Sequence, residues 1–210
     1  MKALTIVAFG DSITQAKEVA PEKRWPELLR AALQARMPGR GFAVVNAGVG
    51  GNTSREGLAR IERDVLAHRP DWVLVEFGGN DATHDPARHV PPDEFAANMA
   101  RIERLVMEKT MARMALLVFP PVVDVWHAHG KMEFHVSRGG LDAHVDRYRC
   151  LTREHAGRRG MPLADIDAAL RRRMARDGAA RYIRPDGVHL TEEGNAAVAE
   201  EVLTVLLSAG

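Results

Sequence analysis

The sequence predicts an α/β protein with a three-layer α/β/α sandwich, in which helices cover both faces of a parallel sheet. Short, nearly continuous apolar runs recur along the chain, as expected of strands that are covered on both faces. Helical patterns with a single apolar stripe separate these runs. The predicted strands are residues 4–9, 42–47, 72–77 and 115–119, with a weaker fifth run at 162–166.

The start signals of the helices agree with this alternation. Thr53 and Glu56 are spaced as a capping box, Pro92 falls in a first turn, and Thr191 can cap the last helix. Strands that alternate with helices imply right-handed crossovers and a parallel sheet. In such sheets, ligands bind beyond the carboxyl ends of the strands, so the residues that follow each strand are the candidates for a site.

Composition limits the class of protein. The chain has 210 residues, of which 46% are hydrophobic and 27% charged, so we expect one globular domain spanning residues 1–210. The net charge of +1 provides no broad basic field, and nucleic acid is not an expected partner. Cys150 is the lone cysteine, so no intrachain disulfide is possible and the cytoplasm is the expected location. No apolar run approaches the ~20 residues of an integral membrane segment.

Three glycine-rich corners follow the first three predicted strands. They span residues 10–14, 46–53 and 78–81. Because the carboxyl ends of parallel strands share one edge of the sheet, these corners should converge on one crevice. Glycine lets a backbone N–H approach a ligand with no Cβ in the way, which suits an oxyanion hole.

A fourth segment places Asp186 and His189 three residues apart, immediately before the last helix. One turn can hold the carboxylate against one ring nitrogen and leave the other nitrogen facing the crevice. Acyl transfer needs a nucleophile, a base, an acid that orients the base, and donors for the developing oxyanion. Ser12, His189 and Asp186 fill the first three roles. Gly51 and Asn80 fill the last.

Read in order, the four segments resemble those of the SGNH (GDSL) hydrolase superfamily, and most closely the branch of bacterial thioesterase/lysophospholipase esterases. The resemblance extends to residues 25–29 and 72–76. It implies a flavodoxin-like fold with five parallel strands in the order 2-1-3-4-5, and no cofactor or metal ion. It also implies a Ser12, His189, Asp186 triad, and an oxyanion hole formed by Ser12, Gly51 and Asn80.

The expected function is therefore hydrolysis of small-molecule carboxylic esters or thioesters with short-to-medium acyl chains, through an acyl-serine intermediate. Activity should rise through roughly pH 6 to 8, as the imidazole base loses its proton. Within the same chemistry, the alternative is a carbohydrate O-acetylesterase. From another class, the alternative is a non-catalytic binding module on the same fold. The sequence predicts no oligomeric state.

The same residues are also compatible with simpler interpretations. Ser12 could be a helix N-cap, and Asp186 with His189 could be a turn acid and a surface imidazole. Thr53 stands where a dinucleotide fingerprint needs glycine, so that motif is absent. His127 and His129 suggest zinc, but no zinc-binding spacing accompanies them.

Two further segments carry less specific signals. Residues 120–140 are the least regular part of the chain and could form a loop over the site or ordinary surface structure. Residues 147–184 are rich in arginine. Arg171, Arg172, Arg173 and Arg176 could attract an anionic substrate at the mouth of the site, or simply be solvated helix faces.

Overall fold

A computed structural model describes residues 3–209. Within them, a sheet of five parallel strands has the order β2-β1-β3-β4-β5, which confirms the predicted fold class and strand order. The strands are β1 (Leu4–Gly10), β2 (Phe42–Gly48), β3 (Trp72–Glu76), β4 (Arg113–Leu117) and β5 (Leu163–Ala164). The helices are α1 (Ser12–Gln15), α2 (Trp25–Arg36), α3 (Ser54–Asp64), α4 (Pro92–Lys109), α5 (Glu133–Val136), α6 (Leu141–Arg159), α7 (Ile166–Asp177) and α8 (Glu192–Ser208).

The predicted bounds of β4 were wrong by two residues. The strand begins at Arg113, an exposed residue whose guanidinium lies 4.5 Å from the centre of the Trp72 ring on β3. The apolar pattern did not predict the start of the strand, because its first residue is charged. After Leu117 the chain leaves the sheet, and the Phe119 ring packs directly on Gly79 beside the crevice.

Helices flank the sheet in two groups. α2 and α7 both pack against α8, whereas α3 and α6 both pack against α4. The capping signals are confirmed, because Thr53 and Glu56 form a reciprocal capping box at α3 and the Thr191 hydroxyl accepts from Gly194 N at 3.1 Å in α8. Among the helices of residues 3–209, none combines the length and the hydrophobicity that a membrane span requires.

The core supports the short helix that begins with Ser12. All residues of β3 are buried, including the carboxyl-bearing Glu76 at its end. The buried Trp25 indole donates to the Ile13 carbonyl at 3.1 Å, and Asn195 accepts from the Trp25 N–H at 3.1 Å. These bonds tie α1, α2 and α8 together beneath the crevice.

Candidate active site

The predicted site residues meet at one pocket. It has a volume of about 580 Å³ and lies beyond the carboxyl ends of the central strands. Its lining includes Ser12, Gly51, Asn80, Asp186 and His189. Four distant segments of the chain therefore meet in space as the sequence predicts.

Ser12 is the first residue of α1, and its neighbour caps the helix. The Asp11 carboxylate accepts from Ile13 N at 2.9 Å, so Asp11, and not Ser12, is the N-cap. The interpretation of Ser12 as a capping residue is wrong for that reason. Its half-buried side chain lines the pocket instead.

Asp186 holds His189 within one turn. The Asp186 Oδ2 lies 3.0 Å from His189 Nδ1, while Oδ1 accepts from the backbone N–H groups of Val188 and His189 at 3.0 and 2.9 Å. Burial alone would raise the pKa of Asp186, but these bonds hold it below its usual value. The ring is thereby oriented through Nδ1, which leaves Nε2 for the pocket.

Glu18 is a second carboxylate beside His189 that the sequence did not reveal. Its Oε1 lies 3.8 Å from His189 Nε2, and both side chains line the pocket. The chain reaches this point through a left-handed residue, Ala16 (φ 49°), at the end of α1. An imidazolium at position 189 therefore has an anionic neighbour on each ring nitrogen.

Gly51 and Asn80 occupy the two corners expected to stabilise an oxyanion. Gly51 has φ +81°, a conformation that strains other residues, and its carbonyl accepts from Arg88 Nη2. The Asn80 amide donates to Asp11 Oδ2 at 2.8 Å. Because an amide NH₂ carries two N–H groups, the second is available to the pocket.

Two buried carboxyl groups lie beneath Ser12. Glu76 Oε2 accepts from the Thr14 hydroxyl at 3.0 Å and from Asp11 N at 3.4 Å, whereas Oε1 has no partner within residues 3–209. Burial raises the pKa of Glu76 well above its usual value and that of Asp11 to about 6. At about pH 7 the proton therefore belongs to Glu76, and Asp11 carries the charge that holds Asn80.

Asp81 joins the third corner to the second. It accepts from Ser54 N at 3.0 Å and from the Ser54 hydroxyl at 2.5 Å, at the start of α3. Burial raises the pKa of Asp81 to about 7. Its partner lies 27 positions away in the sequence, and the bond fixes the Asn80 corner against the Gly51 corner.

Arg60 joins the first corner to the second. Its nearly buried guanidinium donates to the Gly10 carbonyl at 2.7 Å, to the Ala47 carbonyl at 2.8 Å and to Asn52 Oδ1 at 2.7 Å. Asp64 balances the charge at 3.1 Å. A signal was present in the sequence, because position 60 falls beside Ile61 on the apolar face of α3, where a charged residue needs buried partners.

The opposite wall of the pocket is rich in imidazole. His129 lies between His84 and His127, with ring centres 4.6 and 5.4 Å away, and His135 lies 6.1 Å from His84. Burial lowers the pKa of His127 and of His135, and neighbouring imidazoles lower both further, so both are neutral at about pH 7. Within residues 3–209, no three His, Cys, Asp or Glu side chains are grouped so as to hold a metal ion.

The segment from 120 to 140 supplies much of this wall. Trp126 is 37% exposed and lines the pocket together with His127. The Val123 N–H donates to the Gly187 carbonyl at 2.8 Å, so the segment packs against the turn that carries Asp186 and His189. The interpretation of residues 120–140 as ordinary surface structure is therefore wrong.

Three of the four arginines of α7 form ion pairs, and none of the four lines the pocket. Lys17 and Arg88 supply its lysine and arginine side chains instead. The suggested attraction of substrates by the α7 arginines is therefore wrong for the three that are paired. Arg171 binds Asp142 and Asp167, Arg173 binds Glu200, and Arg176 binds Asp177, all at 2.7–2.9 Å.

A five-stranded parallel sheet with a serine, an acid–imidazole pair and glycine-rich turns at one crevice defines a class of α/β hydrolytic proteins. The chain belongs to the GDSL-like lipase/acylhydrolase family, and the match covers residues 8–197. The resemblance to the SGNH superfamily is thereby confirmed.

Similar proteins include several esterases. The chain is 36% identical over 102 residues to thioesterase 1/protease 1/lysophospholipase L1 of Escherichia coli K12, a match covering 45% of this chain and 47% of that protein. It is 34% identical over 135 residues to an acetylxylan esterase of Geobacillus stearothermophilus, covering 57% and 60%. The chain thus spans about half the length of the curated relatives it matches.

Solved structures resemble the whole described fold. The α/β hydrolase enzyme LAE5, from the metagenome of Lake Arreo in Spain, has a TM-score of 0.81 and 26% identity, with 100% of this chain and 98% of that chain covered. The acetylxylan esterase Axe2 of Geobacillus stearothermophilus has a TM-score of 0.79 and 25% identity, with 97% and 94% covered.

Proposed function

We propose that this protein hydrolyses carboxylic esters or thioesters with short-to-medium acyl chains, through an acyl intermediate on Ser12. The observation that carries the proposal is the shared pocket, which is lined by Ser12 and by a His189 ring that Asp186 holds at 3.0 Å. Membership of the GDSL-like lipase/acylhydrolase family supports the same reaction class.

The roles follow from the chemistry of each group. His189 Nε2 takes the Ser12 hydroxyl proton as the oxygen attacks the acyl carbonyl, and then delivers that proton to the leaving alcohol or thiol. The N–H groups of Ser12 and Gly51, with the free N–H of Asn80, stabilise the oxyanion. Water, deprotonated by the same imidazole, then releases the acid and restores Ser12.

The buried groups around the pocket would serve this reaction by fixing its geometry. Arg60 bonds to the carbonyls at the ends of β1 and β2, and the charged Asp11 bonds to Asn80. Donors that are already in place need no reorganisation as the oxyanion forms.

A carbohydrate O-acetylesterase is the second candidate, and the wall of the pocket favours it. The half-exposed Trp126 offers an aromatic face of the kind that packs against sugar rings. Neutral imidazoles such as His127 carry one donor and one acceptor each, which suits hydroxyl groups. A panel of esters that varies acyl length and alcohol separates the candidates. A sharp preference for acetyl on sugars supports the second, and a rise toward medium chains supports the first.

The test of the reaction class is the Ser12→Ala substitution. We expect kcat to fall by about 10⁶-fold, as in other triad knockouts, with the folded structure unchanged. The matched control is Ser137→Ala, an exposed serine outside the pocket. A fluorophosphonate should label the wild type and the control, but not Ser12→Ala. Turnover of Ser12→Ala within about tenfold of wild type would refute the proposal.

We also propose that the protein acts in the cytoplasm, because its exposed cysteine has no partner for an intrachain disulfide. One similar protein, the uncharacterized lipoprotein YqeF of Bacillus subtilis, is 27% identical over 94% of this chain. Fractionation of the source cells, with detection of the protein by antibody, tests the location. Recovery from the membrane or exported fraction would contradict it.

A further inference from the structure

A second concavity, separate from the catalytic pocket, lies between the start of α4 and the start of α6. It is a cleft of about 400 Å³. Within residues 3–209, no acidic side chain lines it. The lining residues are His89, Pro92, Arg138, Ala143, His144 and Arg147. A concave surface with two guanidinium groups, two imidazoles and no carboxylate is suited to an anion.

His144 provides a buried polar group in this cleft. The residue is only 8% exposed, and its Nδ1 lies 3.3 Å from His135 Nδ1. Among residues 3–209, no hydrogen-bond partner lies within reach of its Nε2. The one buried side-chain nitrogen or oxygen without a partner in residues 3–209 is Glu76 Oε1, so the His144 Nε2 is open to the cleft and can donate to a ligand there.

The two arginines of the cleft differ from their neighbours on α6. Arg149 and Arg153 bind carboxylates, of Asp142 at 2.7 Å and of Asp165 at 2.9 Å respectively. Arg138 instead lies over the Phe134 ring, at 3.9 Å from its centre, and the exposed Arg147 pairs with no carboxylate of the described chain. Both guanidinium groups therefore keep their positive charge uncompensated.

The charged groups around the cleft also favour binding of an anion. Burial, together with the neighbouring His135 imidazole and the guanidinium groups of Arg138 and Arg147, lowers the pKa of His144 to about 4. Glu94, whose charge acts on nearby His89, is already bound by Arg55 at 2.7 Å. The electrostatic potential in the cleft is thus positive and attracts a negatively charged ligand.

We propose that this cleft binds a doubly charged oxyanion of the phosphate type, with Arg138 and Arg147 on its sides and the His144 Nε2–H donating from its floor. Guanidinium groups match phosphate oxygens with paired N–H donors. A dianion gains from both arginines at once, whereas a monocarboxylate carries half the charge. The proposal is independent of the reaction assigned to Ser12.

The cleft and the catalytic pocket share one hydrogen bond. His135, the partner of His144, also lines the catalytic pocket. When His144 donates to the anion through Nε2, its Nδ1 must accept from His135 Nδ1–H, which fixes the tautomer of a pocket-lining imidazole. Bound phosphate should therefore alter substrate affinity at the pocket wall.

Calorimetric titration with inorganic phosphate at about pH 7 tests the site. We expect saturable binding to the wild type, and about tenfold weaker binding in Arg138→Gln and in Arg147→Gln, because each loses a charged donor pair. The double variant should not bind. Arg36→Gln, which changes an exposed arginine of α2 outside the cleft, is the matched control and should bind as the wild type does.

Two further arms locate the site and define the ligand. Enzyme inactivated by a fluorophosphonate at Ser12 should still bind phosphate, and acetate should bind about tenfold more weakly than phosphate. The proposal is overturned by absence of phosphate binding to wild type, by undiminished binding in the double variant, by loss of binding after inactivation, or by equal affinity for acetate. Circular dichroism of each variant shows that lost binding is not lost folding.

Discussion

The crevice at the strand ends and the histidine-rich wall of the pocket, supplied largely by residues 120–140, hold their polar groups in different ways. In the crevice, buried groups are bound to backbone and side chains by directed hydrogen bonds, as Arg60 is to Gly10 and Asp81 is to Ser54. In the wall, imidazoles pack ring against ring, as His84 does on His129. We infer that the crevice determines the geometry of the catalytic groups, whereas the wall determines which substrates bind.

Burial also shifts proton affinity in opposite directions in the two regions. In the crevice it raises the pKa of Asp11 to about 6 and that of Asp81 to about 7. At the wall it lowers the pKa of His135 and, behind it, that of its hydrogen-bond partner His144 to about 4. Burial thus favours the neutral form of each of these groups, which for the carboxyl groups is the form at low pH and for the imidazoles the form at high pH.

Among the substitutions that test this contrast, Asn80→Ala should change kcat the most. Asn80→Ala removes one oxyanion donor and should lower kcat by ~10²–10³-fold, or ~2.7–4 kcal/mol, with the protein still folded. Steady-state kinetics with a simple ester measure the change. An unchanged kcat would show that Asn80 only fills a corner of the crevice.

The stability contributed by a buried group should depend on pH in opposite directions in the two regions. His144 has a lowered folded pKa, so the stability it contributes is present above its unfolded value and is lost as pH falls from about 6.5 to about 4. The loss is up to about 3 kcal/mol, at about 1.4 kcal/mol per pKa unit. Denaturant unfolding of wild type and His144→Gln across this range measures it, and their difference should shrink toward acid.

Asp81 should behave in the opposite way. Its folded pKa is raised, so the stability it contributes is complete below its unfolded pKa and is lost as pH rises through about 7. The difference between wild type and Asp81→Asn should therefore shrink toward neutral pH. Curves of the same sign for the two variants would remove the contrast between crevice and wall.

Substitutions of Arg60 test whether its hydrogen bonds to the ends of β1 and β2 keep the catalytic groups in position. Arg60→Met should lower kcat by about tenfold to hundredfold with little change in KM, because a misplacement of about 1 Å between catalytic groups can cost that much. Arg60→Lys should recover part of the loss. Arg63→Met, which changes a 78% exposed arginine that also pairs with Asp64, is the control and should leave kcat unchanged. Equal losses in both variants would show a general effect on α3.

The smallest effect is expected at the wall. Trp126→Ala should raise KM for acetylated sugars by about three- to tenfold, because an aromatic contact contributes about 1 kcal/mol, and should leave kcat unchanged. The matching measurement uses an alkyl acetate, whose KM should stay the same. A uniform rise for both substrates would mean that Trp126 supports the pocket and does not select the alcohol.

Much of the fold was predictable because its signals are local. The strands β1 to β3 begin where their apolar runs begin, and Thr53 caps α3 through a bond to a residue three positions away. β5 was weak in the sequence because only Leu163 and Ala164 pair in the sheet. The sheet order came from the family resemblance, since strand periodicity carries no information about neighbours.

The site was predictable only where its residues sit in short motifs. Ser12 and Asn80 stand at fixed positions in segments that follow strands, and parallel topology brings such segments together. His189 stands in a short motif directly before α8. Glu18 lies near His189 because the chain takes a left-handed conformation at Ala16, and no sequence pattern predicts that conformation. The wall depends on packing of residues 120–140 against the turn that contains Gly187, which is distant in the sequence.

The central claim is that one hydroxyl faces an imidazole on one side and a set of N–H donors on the other. A crystal structure of the fluorophosphonate-inactivated enzyme tests it most directly. We predict a phosphonyl group bonded to Ser12 Oγ, with its free oxygen about 2.7–3.1 Å from Gly51 N and Asn80 Nδ2, and His189 Nε2 within hydrogen-bond reach of the adduct. An adduct on another residue, or a phosphonyl oxygen turned toward the histidine wall, would contradict the account.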